Sequence, residues 1–169
     1  HTGAVAAERD LHMVPAFHHH LMQGVGTYGL EFFGAHPDLD TVYVPIGQGS
    51  GIAGLISARD ALNLNTKIVG VVAENAACYA LSFARRETVS TNSANTLADG
   101  MACRVPIQGA LDIILAGAER VITVGEDEIR AAMRYYFTDT HNVAEGAGAA
   151  PLAALMKEKD RMKGLKVGL

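Results

Sequence analysis

Short apolar runs rich in β-branched residues alternate along this chain with stretches whose apolar positions recur every three or four residues. Val42, Tyr43, Val44 and Ile46 form one run; Ile68, Val69, Val71 and Val72 form a second; Val121, Ile122 and Val124 form a third. Runs this short, apolar on both faces of the pleat, predict strands over 41–46, 67–72 and 120–124 that are covered on both sides. After the third run, Ile129, Ala132, Met133 and Tyr136 fall at i, i+3, i+4 and i+7, behind the acids Glu126, Asp127 and Glu128. That spacing predicts a helix over 126–137, its acids in the first turn where the macrodipole favours them. Further helices are expected over 26–36, 52–62, 76–86, 107–117 and 149–160. The first closes at His36, because the residue before Pro37 leaves the helical region. The last accommodates Pro151 only if that residue lies in its first turn. A helix end over 4–10, a short strand over 11–17 and a new strand within 163–169 complete the pattern. Residues 87–106, rich in Thr, Ser, Asn and Gly, read as irregular. Repeated strand–helix units predict one α/β domain over 1–169, a doubly wound and mostly parallel sheet in three αβα layers.

Composition narrows the partners. The 169 residues are 49% hydrophobic and 19% charged with a net charge of −4, enough to bury one core and unsuited to a nucleic-acid surface. No apolar run approaches the length of a membrane span, and the first residues carry no signal-peptide pattern. Cys78 and Cys103 form no C-x-x-C pair and read as small hydrophobes in a reducing, cytoplasmic setting. His18, His19 and His20 could in principle chelate a metal, but neighbouring side chains diverge on a strand or helix, so a solvated loop is expected. His141 and the pair Arg85-Arg86 suit helix ends, and Tyr135, Tyr136 and Phe137 suit core or interface.

The stretch with the most chemical content follows the first strand. Ile46 gives way to Gly47, Gln48, Gly49, Ser50 and Gly51, and a helix-compatible segment comes next. A strand, a glycine turn and a helix N-terminus in that order make an anion cradle, because main-chain N–H groups and the positive helix end converge where no Cβ intrudes. Read alone, Gly49-Ser50-Gly51-Ile52-Ala53-Gly54 satisfies the dinucleotide pattern G-x-G-x-x-G, with Glu74 placed 20 residues further on for a ribose. The alternatives are thus a Rossmann-type NAD-binding domain, a non-catalytic phosphate-binding module, and a site for a single phosphate monoester.

Other segments favour the monoester. Met22-Gln23-Gly24-Val25-Gly26-Thr27-Tyr28-Gly29-Leu30-Glu31, Val44-Pro45-Ile46-Gly47-Gln48-Gly49-Ser50-Gly51, Thr96-Leu97-Ala98-Asp99-Gly100, Val124-Gly125-Glu126-Asp127-Glu128-Ile129 and Ala144-Glu145-Gly146-Ala147-Gly148-Ala149-Ala150 occur in this order. Together they resemble the serine/threonine dehydratase group of fold-type II pyridoxal-phosphate enzymes over nearly the whole chain. The resemblance implies that Gly47, Gln48, Gly49, Ser50 and Gly51 bind the cofactor phosphate through main-chain N–H groups, with the Ser50 hydroxyl able to add a bond. It places Glu145 near the cofactor ring and substrate, and Asp99 and Gly100 at the cleft edge. Taken on their own, Glu145 also suits a helix start and Asp99 a turn. Gln48 stands where the group has glycine, which requires an ordinary φ there.

The resemblance further implies pyridoxal 5'-phosphate as cofactor, a small amino-acid substrate, and a homo-oligomer for the complete protein. The activity would be loss of water and ammonia from threonine or serine to give a 2-keto acid. The group's divalent-cation acids would fall at Val72 and Ala77, so no metal site is expected. A Schiff-base lysine in a Ser-x-Lys-x-Arg-Gly segment is also missing, since Lys67, Lys157, Lys159, Lys163 and Lys166 lie in other settings. The chain, which starts at His1 without Met, therefore reads as roughly the second half of such an enzyme. The lysine segment is expected upstream, a Ser-Gly-Gly-Asn segment downstream, and no catalysis from these residues alone.

Overall fold

The β-branched runs become neighbouring strands in the computed structural model, which describes residues 2–169. They are β1 (Thr41–Pro45), β2 (Lys67–Ala73) and β3 (Arg120–Val124), with β4 (Val167–Gly168) added beside β1. The order is β3-β2-β1-β4 and every pairing is parallel. Helices α1 (Thr2–Glu8), α2 (His19–Ala35), α3 (Ser50–Ala61), α4 (Cys78–Arg85), α5 (Gln108–Gly117), α6 (Glu126–Thr140) and α7 (Gly146–Lys157) fill the connections. On one side α3 packs against α2 and α5. On the other, α7 lies across β1, β2 and β3 with α6 against it. Ile52, Leu55, Ile68, Val69, Leu111, Ile114 and Ile129 are buried between these layers, so the expected α/β architecture is the one found.

The connections step from β1 outward to β2 and β3, then return to the far side of β1 for β4. That reversal opens a crevice beyond the C-terminal end of β1, the place where parallel sheets bind ligands. Dinucleotide sheets share this order, so order alone does not choose between phosphate ligands.

One rung of the sheet carries a polar cluster. Tyr43, Val69 and Arg120 are in register across β1, β2 and β3. The Arg120 guanidinium pairs with Glu158, at the end of α7, and the Tyr43 hydroxyl donates to the same carboxylate at 2.6 Å. Burial raises the Glu158 carboxyl, but the bonds from Arg120 and Tyr43 outweigh it and hold the group below its ordinary range.

Three expectations are corrected. Residues 11–17 form no strand: Leu11, Met13 and Val14 are exposed, with no partner strand to take up their main-chain groups. Helix α2 starts at His19, well before Gly26, so Gly24 and Gly26 are helical. Gly26 earns its place by contact with α3, since a Cβ on Gly54 would stand 2.9 Å from the Gly26 nitrogen. Helix α7 starts at Gly146, which puts Pro151 in the second turn rather than the first. Its ring costs the Ala147 carbonyl a helical donor.

Candidate active site

Glycine 49 turns the chain from β1 into α3. It has φ +99°, and a side chain there would come 2.7 Å from the Ala110 Cβ. Gln48 keeps an ordinary negative φ, as its side chain requires. The Ile46 N–H still donates to Val71, and the Ala53 N–H begins the α3 ladder by donating to Gly49. Between them, over 47–52, no main-chain N–H has an acceptor among the described residues. These donors sit at the positive end of α3, beside the crevice flanking β1. Helix starts leave such donors unpaired, and a run of them extending back into a buried or half-buried glycine turn is the arrangement that suits an anion.

One distant segment closes on this loop, and a second packs behind it. A Cβ on Gly47 would collide with the Gly100 carbonyl oxygen, and one on Gly100 would stand 3.5 Å from Glu145 Oε1 and 3.2 Å from the Ala147 Cβ. A Cβ on Gly146 would stand 2.8 Å from the Ala98 Cα. The turn at Asp99–Met101 therefore meets the glycine loop at main-chain distance and the start of α7 meets that turn in the same way, and only glycines allow it. Asp99 and Gly100 are exposed at the rim. Glu145 is the residue preceding α7, and its side chain makes no capping bond there. Of the cofactor-site candidates, the loop at Gly47 touches Gly100 and Gly100 lies beside Glu145, with Asp99 adjacent in the chain.

Other groups there carried no signal strong enough to single them out. Glu126 reads in sequence as a first-turn acid; in the fold its Oε2 accepts the Leu97 N–H at 2.9 Å and steadies the turn that bears Asp99. Its Oε1 and the Gln48 Oε1 are buried without a partner among the described residues. Tyr79, in the first turn of α4, is fully buried under the loop. Its hydroxyl donates to the Gln48 carbonyl at 2.8 Å and accepts the Ile107 N–H at 3.1 Å, and burial pushes its pKa up to about 12. A tyrosine beside a buried cysteine is ordinary core in sequence; only its polar tip hints at a partner.

The remaining candidates stand elsewhere. Glu74 is exposed beyond β2 and lies 3.6 Å from the Cβ position of Gly125, at the β3 side and away from the glycine loop. Gly54 packs against Gly26, a role a third glycine has in either pattern, so only Glu74 departs from the dinucleotide arrangement. The rings of His18, His19 and His20 gather rather than diverge, because His18 is extended and the helix starts at once. Their ligand atoms lie within 4.8 Å of one another. Two features oppose a cation there: His18 Nδ1 already accepts the His20 N–H at 3.2 Å, and the site is a positive helix end. Cys78 and Cys103 are buried and unbridged, as small hydrophobes would be.

Comparison with known proteins decides between phosphate ligands. The profile of the family described as pyridoxal-phosphate dependent enzyme matches residues 1–169. This chain belongs to that family. An L-threonine ammonia-lyase of Thermotoga maritima is 34% identical over 150 residues, which cover 89% of this chain and 37% of that protein. The structure of the processed form of threonine deaminase isoform 2 from Solanum lycopersicum superposes with a TM-score of 0.90 at 27% identity, covering 98% of this chain and 49% of that one. Serine racemase from Dictyostelium discoideum superposes with a TM-score of 0.86 at 27% identity, over 99% of this chain and 54% of that one. The chain thus spans about half or less of the proteins it matches.

The residues present fit the phosphate end of the family's cofactor. The free donors over 47–52 suit an oxyanion, and the cradle is one that a Cβ on Gly47 would fill.

Proposed function

We propose that this chain is the phosphate-binding lobe of a pyridoxal-phosphate-dependent lyase that removes water and ammonia from a hydroxy amino acid, threonine or serine, to leave a 2-keto acid. The observation that carries the reading is the run of N–H groups over 47–52 without partners among the described residues, at the sheet's reversal point and against Gly100, which Glu145 flanks in turn. Gly47, Gln48, Gly49, Ser50 and Gly51 hold the cofactor phosphate by their main chains, and the Ser50 hydroxyl adds a further donor. Gly47 and Gly100 keep side chains out so that the two main chains can close. Asp99 and Glu145 supply carboxylates at the rim toward the ring and substrate. When bound, pyridoxal phosphate supplies the electron sink that makes removal of the Cα proton possible.

None of the lysines serves that chemistry from its present place. Lys67 opens β2 at the far end of the sheet, Lys157 is held by Glu128 and the Thr123 carbonyl, and Lys166 is paired with Asp38. Lys159 and Lys163 follow α7. The 169 residues alone therefore bind phosphate without catalysing the reaction, and the lysine comes from elsewhere in the gene product. The unbridged cysteines suit a reducing cytoplasm, and among the described residues no helix is long and apolar enough to cross a membrane. Exposed Phe137 and Val143, at the far end of α6, suit a contact with a second copy.

The test is to express the protein its gene encodes with pyridoxal phosphate and assay threonine and serine for 2-keto acid and ammonia. Both products from at least one substrate are expected from that protein, and none above the free-cofactor rate from the 169 residues alone. No turnover of either substrate by the full product would overturn the reading.

A further inference from the structure

We infer that Tyr79 is a positioning residue for the anion cradle: its hydroxyl sets the direction in which the Gly49 N–H points. The inference rests on the reading of the glycine loop as a phosphate site. The Gln48 carbonyl and the Gly49 N–H belong to one planar trans peptide, so they point to opposite sides. The carbonyl is held inward by the Tyr79 hydroxyl at 2.8 Å. The N–H is therefore turned outward, toward the crevice, and it has no acceptor among the described residues.

The peptide would otherwise be the freest in the loop. Gly49, at φ +99°, has no side chain to restrict it, and a glycine peptide can flip where a bulkier one cannot. A flip would aim the Gln48 carbonyl at the ligand, replacing a donor with an acceptor facing a phosphate. The hydroxyl is itself fixed. Its single proton goes to Gln48 because the Ile107 N–H, at the start of α5, donates to its oxygen at 3.1 Å. The ring is fully buried and its hydroxyl stays protonated, since burial pushes its pKa up to about 12. One side chain thus ties α4, α5 and the loop after β1 into a single support.

A comparison between two ligands isolates this role from general stability. In the protein its gene encodes, Tyr79→Phe is expected to weaken pyridoxal 5'-phosphate by about tenfold, the loss of one well-aimed donor to a charged group. Pyridoxal, which lacks the phosphate, should bind within about twofold of wild type. Tyr43→Phe removes an equally buried hydroxyl from the Glu158 cluster and should leave the ratio of the two affinities unchanged. An unchanged ratio in Tyr79→Phe would overturn the inference, as would an equal change in Tyr43→Phe.

Amide hydrogen exchange on the wild type keeps the test open if the phenylalanine variant does not fold. Added inorganic phosphate should slow exchange at Gly49 together with Ser50, Gly51 and Ile52. Slowing at the latter residues but not at Gly49 would overturn the role of Tyr79 and leave the cradle standing. No slowing anywhere over 47–52 would overturn the phosphate site itself, and the inference with it.

Discussion

Two polar regions of the same sheet are built on opposite plans. In the cluster on the Tyr43–Val69–Arg120 rung, charge is fully matched. Arg120 meets Glu158, Tyr43 donates to the same carboxylate, and the guanidinium lies 5.9 Å from the Tyr43 ring centre. In the glycine loop, donors accumulate without acceptors, and Gly47, Gly49 and Gly51 carry no side chain. The first region spends its polarity on holding α7 to the strands. The second leaves its donors unspent, as the proposed phosphate site requires. A protein can carry unpaired donors at one place because packing and paired charges elsewhere hold the frame.

The contrast makes separable predictions. The largest effect belongs to Gly47→Val, whose side chain must drive the Gly100 main chain away. A displacement worth about 3 kcal/mol weakens pyridoxal 5'-phosphate about a hundredfold, to be read by fluorescence titration. Next, Glu158→Ala strips the partner from Arg120. Each side chain of the pair is only 17% exposed, so unfolding should be easier by about 2–3 kcal/mol, somewhat under the cost of breaking a fully buried pair. Urea denaturation measures that loss, and phosphate affinity should not move. If Glu158→Ala weakened phosphate as strongly as Gly47→Val, the two regions would not be independent.

Acid should act on the paired region first. Glu158 has its pKa lowered in the fold, so its contribution is full above the unfolded value of about 4.3 and is lost as pH falls through the lower folded value. Unfolding free energy measured from pH 6 down to about 2.5 should fall over that range. In Glu158→Gln, that part of the slope should disappear. The smallest effect is expected at Gly51, where a Cβ meets nothing within 4 Å. Gly51→Ala should change stability and phosphate affinity by less than about 1 kcal/mol. A loss as large as that at Gly47 would mean that the ligand approaches Gly51 more closely than main-chain binding requires.

Much of the frame was legible in the chain because its signals are local. β-branched runs read as strands directly: 41–46 and 67–72 match the buried β1 and β2 closely. The run over 120–124 matches β3 at both ends, although β3 lies at the sheet edge and is only half-buried. The glycine turn was legible because strand, turn and helix follow one another directly. What escaped depended on distant partners. The apolar residues of 11–17 pattern like a strand but have nothing to pair with. The glycines of α2 look like breakers until Gly54 appears beside Gly26. Likewise, nothing near Gly47 announces that Gly100 will touch it, and nothing near Tyr79 announces the Gln48 carbonyl. The resemblance of the segments holding Asp99, Gly100 and Glu145 to known motifs supplied candidates that spacing alone could not.

A crystal structure of the gene product with pyridoxal 5'-phosphate tests the central claim most directly. The account predicts the phosphate within hydrogen-bond distance of the main-chain N–H groups over 47–52, with Gly100 and Glu145 along the cofactor's flank. A phosphate bound elsewhere, with those N–H groups still facing solvent, would contradict it.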